Sequence, residues 1–363
     1  MAENIVSKYD RNMLVETKLT EPDLCFYDVR KEPFRLYGLY NPTEQEHFLR
    51  LPEDVAKATS EGVAHLSRQT AGGRLRFSTD SAYVALKAVM PAMCHMDHMA
   101  MTGSTGFDLY IDSPIDSRYY RTFRPSVNAQ GGFETIIRFP DRKLRNLTIH
   151  FPTYSPVKDL YIGLQEGAVL GEGMPYQPLP PFVIYGSSIT QGGCCSRPGL
   201  CYSNALSRRL NLDHINLGFS GSGRAEEVIV QYMSDMEMSA FICDYDHNAP
   251  NAAHLIQTHL HMYEVFREKH PTLPYIMMSL PDFDRDPYTN AVRRDIVQDT
   301  FRRARAAGDK NIYFIDGEGV FRGPDRDSCT VDGCHPNDIG MTKIADAMEC
   351  MLRRALRGVM TRV

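Results

Sequence analysis

The chain has 363 residues, 43% of them hydrophobic and 23% charged, with a formal net charge of -5. A pI near 6.2 gives no overall basic field, which excludes nucleic acid or an anionic membrane surface as the main partner. No apolar run is long enough to cross a bilayer, and the start, Met1 to Asp10, lacks an apolar leader core, so neither insertion nor export is expected. Nine cysteines without regular spacing give no disulfide framework and fit reduced thiols in a cytoplasm.

At this length two domains are expected. Residues 1–175 are rich in β-branched and aromatic residues, and alternating runs predict half-buried antiparallel strands at Arg74–Ser78, Tyr83–Val89, Phe107–Ile111, Phe133–Arg138, Leu147–Phe151 and Asp159–Leu164. Gly, Pro, Asn and Ser clusters separate them, as in a β-sandwich or jelly roll. Only Pro52–Ala64 reads as a helix. The proline-rich run Gly171 to Pro181 can propagate neither helix nor central strand and marks the boundary.

Residues 176–363 change rhythm. Short apolar strands at Phe182–Tyr185, His214–Leu217, Ala240–Asp244, Tyr275–Leu280 and Ile312–Ile315 alternate with helices at Tyr202–Leu210, Ala225–Met233, Ala252–Lys269, Ala291–Ala307 and Met341–Leu356. That alternation predicts an α/β domain, a parallel sheet covered on both faces.

Ligands of such sheets sit beyond the carboxyl ends of the strands. Ser188 follows the first strand, the loop Gly218 to Gly223 the second, Asp244 to Asn248 the third, and Asp332 with His335 precedes the last helix. Four loops can converge on one cleft. A serine hydroxyl needs a base to take its proton, and Asp332-Gly333-Cys334-His335 supplies a histidine with a carboxylate to orient it. Amides at Ser188 and Gly221 and the Asn248 side chain are candidate donors to a tetrahedral oxyanion.

Blander readings accompany these. Ser188 alone would be an ordinary turn serine, Asp332 a solvated loop residue, Asn248 a turn cap and Gly221 a left-handed glycine. The Gly218–Gly223 loop lacks the order of a dinucleotide or P-loop fingerprint, so no nucleotide cofactor is expected. Asp244, Asp246 and His247 are an alternative divalent-ion group, but a serine mechanism needs no metal and none is expected. Met93 to Met99 offers Cys, His and Asp as metal ligands, but in no closed zinc spacing; read as a strand it would put His95 and Asp97 on one face and Cys94, Met96 and His98 on the other, a buried or interface stretch near the domain contact. Cys194-Cys195 reads as loop packing rather than a redox pair. The roles of Ser187 and Arg197 stay open.

The second half resembles the SGNH, or GDSL-type, esterase and acylhydrolase superfamily over about Phe182 to Leu356. Gly186-Ser187-Ser188-Ile189-Thr190 matches its nucleophile block, Asn216-Leu217-Gly218-Phe219-Ser220-Gly221 its glycine block, His247-Asn248 its asparagine block and Asp332-Gly333-Cys334-His335 its D-x-x-H block. The resemblance implies a flavodoxin-like domain with Ser188 as nucleophile, His335 as base, Asp332 as orienter, and Ser188, Gly221 and Asn248 in the oxyanion hole. Ser187 departs from the usual aspartate, and Ala249 stands where an aspartate often follows the asparagine. Thr105-Gly106-Phe107-Asp108-Leu109-Tyr110 is similar to the G-x-D-L-Y signature of a β-domain ahead of certain such esterases, as in two-domain bacterial carbohydrate esterases that remove acetyl groups. The expected activity is hydrolysis of short acyl esters, O-acetyl on a small molecule or oligosaccharide. The alternatives are an acyltransferase with the same triad, a sugar-binding protein with a dead site, and a metal-dependent phosphoesterase. A homo-oligomer is compatible with the sequence.

Overall fold

Alternation along Tyr83–Val89 sends Val84, Leu86 and Ala88 into one core while Tyr83 and Ala85 face the other way, as a strand period of two requires. In the computed structural model, which describes residues 9–360 except 11–13, 17 and 283, the first half is built largely on such strands. Residues 1–8, most of the segment read above as lacking a leader core, lie outside the described residues. The elements are β1 Leu24–Asp28, β2 Arg35–Tyr37, α1 Glu53–Thr59, α2 Glu61–Leu66, β3 Arg74–Thr79, β4 Tyr83–Val89, α3 Met101–Ser104, β5 Phe107–Asp112, β6 Ser117–Phe123, β7 Gly132–Arg138, β8 Arg145–His150, β9 Asp159–Gln165 and β10 Leu170–Gly171.

They form two antiparallel sheets, one ordered β1-β9-β4-β7 and the other β10-β3-β8-β5-β6 with β2 added on β3. Phe77, Leu86, Phe107, Phe123, Ile149 and Ile162 fill the space between them. The expectation that every strand is half-buried fails at β3, where all six residues are buried. Leu75 and Phe77 face the sandwich core. Arg74 and Arg76 face the second half of the chain, where Arg74 pairs with Asp213 and Arg76 donates to Asn211 Oδ1 at 3.2 Å. Pro52–Ala64 is two helices, because Ser60 is extended (φ −170°, ψ 162°) and its hydroxyl caps α2 by accepting from the Val63 amide.

The second half runs β11 Phe182–Gly186, α4 Ser188–Gln191, α5 Tyr202–Leu210, β12 His214–Gly218, α6 Glu227–Ser234, β13 Ala240–Asp244, α7 Ala252–Lys269, β14 Tyr275–Met278, α8 Pro287–Ala306, β15 Ile312–Ile315 and α9 Asp338–Ala355. The strands make a parallel sheet ordered β12-β11-β13-β14-β15, the flavodoxin-like order. Side chains of α6, α7 and α8 pack one face, joined by Leu51, Ala56, Val63 and Leu66 from the first half, while α5 and α9 cover the other. Among the described residues no helix is long and apolar enough to cross a membrane.

Candidate active site

β11 ends at Gly186 because nothing larger fits: a Cβ there would overlap Thr190 Oγ1 and the Asp244 carbonyl. Ser187 then caps α4. Its hydroxyl accepts from the Ile189 amide at 3.1 Å, and its own amide donates to Thr190 Oγ1 at 3.2 Å. Serine and aspartate are both good caps, so Ser187 keeps the capping role of the usual aspartate without adding a buried charge. Ser188 is the first residue of α4, where helix amides have no intrahelical partner.

Ser188 Oγ lies 2.9 Å from His335 Nε2, and His335 Nδ1 lies 2.7 Å from Asp332 Oδ2. With Nδ1–H donating to the carboxylate, Nε2 presents a lone pair to the Ser188 hydroxyl. The turn is built for this, since the amides of His335 and Cys334 both donate to Asp332 Oδ1, at 2.7 and 3.0 Å. Partial burial works to raise the Asp332 pKa, but these amides and the imidazole outweigh it and hold the carboxyl at about 2. Asn337 caps α9 immediately afterwards, fixing where the turn meets the helix.

The glycine block turns at the end of β12. Gly221 has φ +66°, a left-handed conformation that favours glycine, and the amides of Ser222 and Gly223 donate to the Phe219 carbonyl. That carbonyl also accepts from Asn248 Nδ2 at 2.8 Å, which engages one hydrogen of the Asn248 amide group and leaves its second for another acceptor. Two residues with no motif of their own anchor this turn. Gln191 Oε1 accepts from the Ser220 amide at 3.0 Å, while its Nε2 donates to Gln69 Oε1 and the Thr153 carbonyl, both in the first half. Arg50, 2% exposed, donates to the carbonyls of Leu66, Gln69, Asn216 and Gly218, and burial pulls its pKa down to about 9. Tyr154 OH donates to the Ser188 carbonyl at 3.3 Å. None of these stands out in the sequence; only the arginine in an otherwise apolar Phe48-Leu49-Arg50-Leu51 run hints at a buried task.

The G-x-D-L-Y segment is a joint between the two halves. Asp108 is fully buried and takes His150 Nδ1, Arg197 Nη1 and the Gly199 amide at 3.0, 3.0 and 2.9 Å. Arg197 also donates to Tyr110 OH and lies over the Tyr119 ring, 3.8 Å from its centroid. Arg197 is therefore an anchor for the loop after α4.

Met93 to Met99 is not a strand. The Met99 amide donates to the Met96 carbonyl at 3.2 Å, closing a turn that buries Met99 and exposes His95, Asp97 and His98, so the two-faced reading does not apply. The segment does reach the domain contact, for the His98 and His335 rings are 5.4 Å apart. Asp244 receives Tyr202 OH at 2.9 Å and Thr190 Oγ1 at 3.1 Å, Asp246 receives the Leu280 amide at 3.2 Å, and His247 Nε2 lies 2.9 Å from Cys334 Sγ. Each thus faces its own partner. Cys195 Sγ donates to the Gly192 carbonyl and Cys194 Sγ to the His98 carbonyl, at 3.0 and 3.4 Å.

A flavodoxin-like sheet with serine, glycine, asparagine and histidine blocks on four loops at its carboxyl edge defines the SGNH class of hydrolase. A family model of GDSL-like lipases and acylhydrolases matches residues 180–353, and one described as the N-terminus of SGNH-hydrolase-type esterases, the GxDLY domain, matches 24–170. The chain belongs to the SGNH/GDSL-type esterases that carry this N-terminal domain. A protein described as a GDSL-like lipase from Bacteroides ovatus is similar in structure, with TM-score 0.82 and 26% identity over 92% of this chain and 98% of that one. The salicylyl-acyltransferase SsfX3 from a tetracycline biosynthetic pathway aligns with TM-score 0.75 and 19% identity over 94% and 100%. An acetyl xylan esterase from Butyrivibrio proteoclasticus aligns with TM-score 0.57 and 11% identity over 92% and 98%, a likeness of fold. No curated protein matched the sequence.

Proposed function

We propose that the chain is a serine esterase that removes short acyl groups, acetyl in the first place, from hydroxyls of a carbohydrate. The observation that carries the serine mechanism is the continuous chain Ser188 Oγ, His335 Nε2, His335 Nδ1, Asp332 Oδ2, with links of 2.9 and 2.7 Å. Ser188 Oγ attacks the ester carbonyl as its proton passes to His335 Nε2, and Asp332 stabilises the imidazolium. The carbonyl oxygen becomes an oxyanion facing the Ser188 and Gly221 amides and the second hydrogen of Asn248 Nδ2. The imidazolium then gives its proton to the departing alcohol oxygen. Water, deprotonated by Nε2, releases the acid and restores Ser188.

The short-acyl, carbohydrate part is supported by the kinship of fold with carbohydrate esterases. A cavity of about 210 Å³ beside the turn before α9 is lined by Gly333, Cys334, His247, Arg285 and Arg293, and by none of Ser188, Asp332 and His335. A larger cavity, about 670 Å³, is lined by Thr102, Tyr119, Arg121, Arg138, Ser196 and Arg197 and likewise not by the triad. A screen of acetylated mono- and oligosaccharides, with mass detection of lost acetyl, tests the substrate class. Refusal of every sugar ester alongside acceptance of simple lipid esters contradicts it. The same acyl-enzyme serves transfer to an alcohol, so product ratios with and without added alcohol acceptor separate a hydrolase from a transferase.

A further inference from the structure

Beside the triad, His335 belongs to a second group of side chains whose other members, His98 and Cys194, hydrolysis does not use. Donor atoms of His98, Cys194 and His335 lie within 4.8 Å of one another. His98 is exposed, Cys194 buried and His335 partly exposed, so the group has a solvent-facing side. They arrive from three places: the turn before α3, the loop after α4 and the turn before α9. The second candidate group, Asp332, Cys334 and His335, shares the histidine, but Asp332 is already turned onto His335 Nδ1 and Cys334 faces His247.

We propose that His98, Cys194 and His335 form a binding site for a thiophilic divalent transition metal, Zn²⁺ above all, and that the metal shuts the esterase by taking the lone pair of its general base. Two imidazoles and a thiolate are a ligand set suited to zinc, with bonds of about 2.0–2.3 Å, and donor atoms already within 4.8 Å of one another need only small side-chain movements, the exposed His98 ring foremost, to close on one ion. His335 is prepared for the task by the same contact that orients it as a base. Its Nδ1–H donates to Asp332 at 2.7 Å, the carboxylate–histidine arrangement that raises the basicity of a metal-bound imidazole. The Cys194 S–H bond, now directed at the His98 carbonyl at 3.4 Å, breaks; sulfur keeps the electron pair, the S–metal bond forms and the proton goes to solvent. No oxidation state changes. Once Nε2 holds metal, it cannot accept the Ser188 proton, and the 2.9 Å contact between them is lost.

The inhibition rests on the serine-esterase reading above, whereas the binding does not. The experiment therefore has two arms, both on the full-length, tag-free chain. In the first, Co²⁺ is titrated as a spectroscopic stand-in for Zn²⁺, and a thiolate-to-metal charge-transfer band is followed in the parent, Cys194→Ser, His98→Ala and Ser188→Ala proteins. The parent and Ser188→Ala are expected to show the band. Cys194→Ser should lose it, and His98→Ala should need at least about a hundredfold more metal, since even outer-shell changes at metal sites cost 10–100-fold. In the second, buffered Zn²⁺ is titrated into p-nitrophenyl acetate assays, each variant normalised to its own zinc-free rate. Inhibition relieved in both Cys194→Ser and His98→Ala is expected. No band in the parent, or an unchanged band in Cys194→Ser, overturns the site. A band with no inhibition, in a parent whose activity depends on Ser188, overturns the blocking of the base. If activity proves independent of Ser188, the band alone decides the site.

Discussion

Gln191 Oε1 accepts the Ser220 amide at 3.0 Å, so the helix that begins with Ser188 and the turn that ends at Gly221 are tied by one side chain. Its amide nitrogen is held in turn by Gln69 and Thr153, which makes the β-domain a support of the Phe219–Gly223 turn, the proposed oxyanion turn.

Gln191→Met keeps the volume and removes the acceptor. A loosened oxyanion turn is expected to lower kcat by roughly ten- to a hundredfold, short of the hundredfold or more that follows loss of a donor itself. KM should change little, because the ground-state ester makes weaker use of that turn. Steady-state kinetics read the split; a rise in KM at unchanged kcat would contradict the positioning role.

Asp108 is a buried acceptor for two cationic or imidazole donors and one amide. Burial works to raise its pKa, but His150 and the charges of Arg197 and Arg208 outweigh it, so it is held below the ordinary value as an anion. Removing one partner of a buried pair costs about 3–5 kcal/mol. Asp108→Ala should shift the urea midpoint down by a corresponding amount, and an unshifted midpoint would show that the joint contributes nothing.

Asp244 sits under the nucleophile turn, where burial, then the neighbouring Asp246, pushes its pKa up to about 8 from an ordinary 3.8. The folded state thus binds this proton more tightly than the unfolded state. Below about 3.8 both states are protonated and the full stability is present; as pH rises towards 8 the unfolded chain ionises alone and stability falls. Asp244→Asn cannot ionise. Melting temperatures across that window should fall more steeply in the parent than in the variant, and parallel curves would be the contrary result.

Asp332→Asn preserves the shape of the turn and removes the charge that fixes the His335 tautomer. A triad acts as a unit, so His335→Ala is expected to lose activity about as severely as removal of the nucleophile, with Asp332→Asn equal or milder. Double variants add nothing beyond the single ones if the unit is real, which kcat values for Asp332→Asn/His335→Ala against His335→Ala establish.

Where the sequence could be read, one physical signal dominated. Strands such as Tyr83–Val89 and Ala240–Asp244 and helices such as Tyr202–Leu210 and Ala252–Lys269 stand where periodicity puts them, because their neighbours agree with their local pattern. β1, β2, β6 and β10 carry no such pattern. β6 is an edge strand, Ser117 to Phe123, with little of it buried, so no alternation marks it. The serine, histidine and aspartate were legible because their spacing is local or tied to a strand end. Arg50, Gln69, Tyr154 and Gln191 were not, since their partners lie across the domain contact and a buried polar side chain carries no pattern of its own. Alternation places His98 on a strand face, whereas the turn at Met96–Met99 brings it to His335.

The central claim is that Ser188 Oγ is the nucleophile, and the most direct measurement is turnover of p-nitrophenyl acetate by Ser188→Ala, with circular dichroism and melting temperature as controls for folding. The expected result is loss of at least about a thousandfold in kcat with an unchanged spectrum. Retained turnover in a folded Ser188→Ala protein would contradict the serine mechanism.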